Sequence, residues 1–303
     1  MFTEPTAPAP TANTSTGWQS IFLRADGLRS GWRLAIFLLI FFLLANLGLL
    51  AVLHLGAALP SYSAVTPAAL LAQEIPALLA TLAAVLVMSR IESRRLDSYG
   101  LPLARAFGGN FWRGAVWGLV MIAGTILAIA LAGAVSFGGI ALHGWSLLGR
   151  ASLWAVAFFS VGLWEEFFNR GYALATLADG IGFWPAASVI SALFASTHLL
   201  NGGESWVGVP HIFLISMFFC LTLQRTGNLW FAIGLHAAWD FGETFIFSAP
   251  DSGTFATGTL LRSTFRGPLW LTGGSVGPEA SVIAILVVIL AMLLFVRLYP
   301  ERP

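Results

Sequence analysis

Long apolar runs separated by short polar connections set the rhythm of this chain. Runs near the ~20 residues needed to cross a bilayer occupy 32–56, 68–88, 114–135, 151–174, 183–200, 206–223, 229–247 and 280–298. They predict eight membrane-spanning helices and an all-α fold class, a polytopic integral membrane helical bundle. The connections differ in character. The opening "MFTEPTAPAPTANTSTGWQS" is rich in Pro, Thr and Ala and lacks a basic segment followed by an apolar one. It reads as a disordered cytoplasmic tail and not as a signal peptide. "RIESRRLDSYGLPLARAFGGNFWRG" is charged and amphipathic, and is expected to lie along the membrane surface. "SAPDSGTFATGTLLRSTFRGPLWLTGGSVGPE" is a long external loop whose length makes it either mobile or functional. The expected organisation is a tail over 1–30, three spans with the charged connection over 31–150, four spans over 151–247, and the loop with a final span over 248–303.

Composition agrees with this pattern. Of 303 residues 57% are hydrophobic and 10% charged, well below the quarter or so charged in a soluble domain. All fifteen basic residues are arginines. If the N-terminus is cytoplasmic and eight spans alternate, only Arg150, Arg262 and Arg266 fall outside, and the other twelve lie on or near the cytoplasmic side. Under the positive-inside rule both termini are therefore expected in the cytoplasm of a multi-pass cell-membrane protein. The net charge is +1, and no nucleic-acid partner is expected. The single cysteine, Cys220, sits inside a span, so disulfides contribute nothing.

Against this apolar background, ionisable residues inside spans stand out, because each costs several kcal/mol at membrane depth unless paired or hydrated. The fourth run holds Glu165, Glu166, Asn169 and Arg170; the fifth holds His198; the seventh holds His236, Asp240 and Glu243. Glu166 and Arg170 are spaced i, i+4 with the acid first, the better orientation for an intrahelical ion pair. Glu165 is turned ~100° away around the helix, without such a partner, and is free to face a cavity. His236 and Asp240 are again i, i+4, and Glu243 is i+7 from the histidine, so a regular helix puts all three on one face. Phe194 lies one turn before His198, where its ring can pack on the imidazole. Counting ~1.5 Å per residue from the expected cytoplasmic ends puts Glu165, His198 and Asp240 within a few ångströms of one depth.

"EEFFNR", "FASTH" and "HAAWD" match Glu-Glu-x-x-x-Arg, Phe-x-x-x-His and His-x-x-x-Asn/Asp motifs, and "RTGNLW" follows the second. In this order the chain resembles the CPBP family of intramembrane proteases, the CAAX prenyl protease and bacteriocin-processing group also called the Abi family. The resemblance covers about 151–241 and makes 151–247 the catalytic core. It implies an endopeptidase in which Glu165 activates water with help from His198, while His236 and Asp240 polarise the scissile carbonyl or stabilise the oxyanion. Glu166 and Arg170 belong to the same motif. Asp240 stands where many members have Asn; it could donate to an oxyanion if protonated, orient His236, or bind metal.

The chemistry is consistent with these residue types. Peptide hydrolysis needs a base for water, stabilisation of the oxyanion and a proton for the leaving amine. No H-E-x-x-H pair is present, so a zinc site would be assembled between helices from Glu165, His198, His236 and Asp240; a metal-free glutamate mechanism is equally open. The implied partners are the lipid bilayer and a membrane-associated protein or peptide, lipidated or not. Two other readings compete: a catalytically silent bacteriocin-immunity or scaffold protein, and a proton-coupled transporter. The transporter reading lacks paired, broken helices in two matching halves. Taken alone, the Glu165, Glu166 and Arg170 cluster would be a structural ion-pair network, and Glu243 a carboxylate at a helix end. His211 is expected to cap or to sit at the interface, as are His54, His143 and Glu204. Glu74, two residues before Pro76, is expected to mark a kink and a hydrated pocket. Trp32, Trp112, Trp184, Trp206 and Trp230 fall near span ends, as in an aromatic belt.

Overall fold

The structure, a computed structural model, describes residues 19–24, 27–57, 65–201, 203 and 206–301. Residues 1–18 of the expected tail and Glu204 lie outside the described residues. Every apolar run carries a helix: α1 Ser30–His54, α2 Pro67–Ile91, α3 Gly109–Leu131, α4 Gly144–Glu166, α5 Leu174–Ile181, α6 Phe183–Thr197, α7 Gly208–Thr226, α8 Trp230–Asp240 and α9 Val282–Leu298. A π-helical segment, Phe167–Ala173, joins α4 to α5, so that they form one rod over Gly144–Ile181. A second, Phe241–Ile246, extends α8.

Six of these helices are long and apolar enough to cross a membrane: α1, α2, α3, the α4–α5 rod, α6 with its final turn, and α7. The α8 and α9 runs are shorter; at ~1.5 Å per residue, Val282–Leu298 is about 25 Å long. Local signals set the boundaries. Thr66 caps α2 by accepting from the Ala69 amide at 3.2 Å, ahead of Pro67 at the first helical position. Ser281 caps α9 in the same way. Gly227, at φ 76°, ends α7 in the left-handed region that favours glycine.

The fold is organised around α8, which is buried on nearly every side. It fits between α3 and α4 because glycines let backbones approach: a Cβ on Gly114 would run into the Phe231 carbonyl, one on Gly118 into the Leu235 carbonyl, and one on Gly234 into the Phe111 carbonyl. Small residues at helix contacts are the usual device in membranes, where association depends on close packing. The outward faces stay apolar: Leu39, Leu43 and Leu50 on α1 and Val116 and Val120 on α3 are all exposed. Such a surface suits lipid and not water.

At the end where α1 begins and α2 finishes, Arg33 pairs with Glu92 at 3.0 Å and Asp179 at 2.9 Å, and Arg94 pairs with Asp179 at 2.7 Å. The 92–108 connection packs into this end: Tyr99 and Leu101 are buried, and the Gly100 carbonyl accepts from the Leu229 amide at 2.8 Å. Where α3 finishes, the chain forms strand β1, Val135–Ile140, which pairs antiparallel with β2, Leu261–Phe265. The fold is all-helical, as expected, with little sheet; this two-stranded ribbon orders part of the long loop. Trp32, Trp112, Trp184 and Trp206 are exposed, but Trp230 is only 2% exposed. Its indole donates to the Pro102 carbonyl at 3.0 Å, so it belongs to the core and not to an aromatic belt.

Candidate active site

Glu165 and Glu166 end α4, and helical phase sends them to different environments. Glu166 is fully buried; one oxygen, Oε1, accepts from Nη1 of Arg170 at 3.0 Å and from Nδ1 of His236 at 3.0 Å. The i, i+4 ion pair expected between Glu166 and Arg170 is therefore formed. Glu165 instead lines a cavity of about 540 Å³, with its Oε2 3.8 Å from Nε2 of His236. The π turn begins directly after the pair; such wide turns are frequent at functional sites.

His198 follows the last residue of α6, and its Nδ1 lies 2.8 Å from the Phe194 carbonyl oxygen. A carbonyl can only accept, so Nδ1 carries the proton and a neutral ring keeps its lone pair on Nε2. Phe194 meets the ring edge-on at 4.7 Å between centroids, as its spacing predicts. By the same logic His236 donates from Nδ1 to the Glu166 carboxylate. Its Nε2 is left between Glu165 and Asp240, whose Oδ2 is 3.6 Å away. Phe219 stacks on His236 at 5.2 Å. Arg170 lies over both Phe194 and Phe219, at 4.5 and 5.1 Å, and also donates to Ser216, which donates to Ser191 at 2.8 Å. One buried guanidinium thus braces the aromatic supports of both histidines.

The cavity has further polar walls. Glu74, before Pro76, lines it as expected, and accepts from the Trp164 indole and from Gln73 at 2.9 Å. His211 corrects an expectation: it is 1% exposed, lines the cavity and lies under the ring of Trp239, so it neither caps nor sits at the interface. Glu243 corrects another. The π turn over Phe241–Ile246 takes more residues per turn than an α-helix and rotates Glu243 away from His236 and Asp240. Glu243 accepts from the Trp239 indole at 2.7 Å and meets Asp251 and Glu279 instead. His54 and His143 are exposed, as an interfacial position requires.

Residues from the long loop also reach the site. Asp251, Ser252, Thr254 and Glu279 all line the cavity. Asp251 accepts from Thr244 at 2.7 Å, and Glu279 accepts from the Ser252 amide and hydroxyl at 2.9 and 2.7 Å. Burial pushes Asp251 above the usual carboxylate range, an effect opposed by the Thr244 hydroxyl. Only the loop's length signalled a part for these residues.

Of the four residues expected to bind zinc, His236 Nε2 is 3.8 Å from Glu165 Oε2 and 3.6 Å from Asp240 Oδ2, separations close to those of two ligands each ~2.0–2.3 Å from one tetrahedral zinc. Among the described residues, however, no three of the expected four bring their ligand atoms within 4.8 Å of one another, and the group that does is Glu243, Asp251 and Glu279.

Apolar helices enclosing a cavity walled by carboxylates and imidazoles define a helical membrane protein with an embedded polar site. Residues 147–242 match the family model described as type II CAAX prenyl endopeptidase Rce1-like, which supports, over this segment, the resemblance to the CPBP/CAAX proteases. The match runs from α4 through Asp240 and contains every motif residue; Glu74, Glu243, Asp251 and Glu279 lie outside it. No curated protein matches the chain by sequence.

Proposed function

We propose that this protein is an intramembrane endopeptidase that hydrolyses a peptide bond of a membrane-associated protein or peptide by glutamate-activated water. One observation carries the reading: Glu165, His198, His236 and Asp240, from three different helices, line one cavity inside an apolar bundle. Water bound between Glu165 and the Nε2 lone pair of His198 gives a proton to Glu165 as its oxygen attacks the scissile carbonyl carbon. The tetrahedral oxyanion takes a hydrogen bond from His236, acting as imidazolium, with Nδ1–H held by Glu166 and Nε2–H turned to the substrate. Asp240 orients that edge of the ring. Glu165 then returns the proton to the leaving nitrogen as the C–N bond breaks. Glu166 and Arg170 act as positioning residues.

Zinc, if bound by Glu165, His198, His236 and Asp240, would supply Lewis-acid polarisation of the carbonyl. Stoichiometric zinc in unchelated, purified protein would reassign Glu165, His198, His236 and Asp240 as ligands. The proposed topology has eight crossings, both termini cytoplasmic, and 151–247 as the catalytic core. Eleven arginines expected on the cytoplasmic side, leaving aside Arg170 in the site, support it, and reporter fusions at each connection test it. No residue pattern marks a prenyl pocket, so the substrate is defined by membrane association alone. Glu165→Ala and His198→Ala are expected to abolish proteolysis in protein that remains folded. Full processing of an identified substrate by either variant would remove the assignment.

A further inference from the structure

We propose that Glu243, Asp251 and Glu279 bind a hard divalent cation, calcium in preference to magnesium, which ties the long loop to the end of the α8 rod. One ligand oxygen from each of the three lies within 4.8 Å of the other two. They come from separate segments: the π turn after α8, the start of the loop, and the 3-10 turn before α9.

Acidic clusters at surfaces are common without an ion. A separate observation inside the protein points to a ligand here. Glu243 has no exposed surface; its Oε2 is taken by Trp239, but its Oε1 is buried with no hydrogen-bond donor. That oxygen faces the Glu279 turn, since a Cβ built on Gly277, two residues earlier, would lie 3.0 Å from it. A buried carboxylate oxygen without a donor is costly and rare. Among the described residues, neither Glu243 nor Asp251 has an arginine partner that could neutralise it.

The donor set is all oxygen, which selects calcium or magnesium over zinc. Calcium takes ~6–8 oxygens in flexible geometry, whereas magnesium demands near-ideal octahedral geometry and gives up its waters reluctantly; a site that includes the fully buried Glu243 therefore favours calcium. The hydroxyls of Thr244 and Ser252, already bonded to Asp251 and Glu279, stand beside the cluster as further oxygen donors. Because Asp251 and Glu279 also line the cavity that holds Glu165, the cation would fix one wall of that cavity.

The test is thermal unfolding of the full-length, detergent-purified protein, first in EGTA and then with CaCl2 or MgCl2 at matched ionic strength. Its readout is binding, so it stands or falls separately from proteolysis. Calcium is expected to raise Tm by about 5 °C at saturation, with a midpoint of ~0.1 mM, and magnesium to raise it less. Asp251→Asn and Glu279→Gln are expected to lose most of the shift; should one fail to fold, the other carries the comparison. A wild-type protein indifferent to both EGTA and calcium overturns the site. So does a calcium shift that survives in the folded variants, and a magnesium shift as large as calcium's overturns the choice of ion.

Discussion

Oε1 of Glu166 accepts from Nδ1 of His236 at 3.0 Å while holding Nη1 of Arg170 at the same distance. A residue that local spacing marks as half of an intrahelical ion pair is therefore also the group that sets the tautomer and direction of a histidine on another helix. The consequence is a division of labour between adjacent glutamates. Glu166 braces the site, and Glu165 faces the cavity.

Glu166→Gln should damage both stability and activity. The amide keeps the shape but leaves Arg170, itself 1% exposed, without its counter-charge, and breaking a buried pair costs ~3–5 kcal/mol. A drop in Tm in detergent, together with loss of proteolysis, is the expected result. Unchanged Tm would show that the pair contributes nothing to the fold.

Asp240→Asn supplies the alternative residue of the His-x-x-x-Asn/Asp motif that this chain matches. The amide keeps size and hydrogen-bonding capacity beside His236 Nε2, so activity is expected to stay within about threefold of wild type. Asp240→Leu removes the polar contact and should lose about 10²-fold, comparable to losing one oxyanion contact. Equal activity in the two variants, measured as initial rates on one substrate, would remove Asp240 from the site.

Gly118→Ala should destabilise the bundle, because its new Cβ would strike the Leu235 carbonyl on α8. Overpacking of this kind costs ~1–3 kcal/mol. Gly124→Ala, in the same helix but with nothing within 4 Å of the added carbon, is the control. It should leave Tm unchanged or raise it slightly through helix propensity. Equal Tm values for the two would contradict the close approach of α3 and α8.

Much of this arrangement is legible in the sequence wherever the physics is local. Apolar run length places the helices, i, i+4 spacing pairs Glu166 with Arg170, and a four-residue interval puts Phe194 against His198. What escapes depends on tertiary placement. The Glu166–His236 bond joins residues 70 apart, and neither neighbourhood announces it. His211 stands at the end of an apolar run, where an interfacial position is the natural expectation, yet Trp239 from the next helix covers it. Glu243 shares a face with His236 only if the helix stays regular, and the π turn removes that condition. The β1–β2 ribbon pairs segments more than a hundred residues apart, one of them hidden inside a loop rich in Gly, Ser and Thr.

Glu165 is proposed to activate water for peptide hydrolysis within the membrane. The most direct test compares the N-termini of membrane proteins in cells producing the wild type with those in cells producing Glu165→Gln at equal abundance. If Glu165 is that base, new N-termini in or beside membrane-embedded segments appear with the wild type and are absent with the variant. The same set of N-termini in both would contradict it.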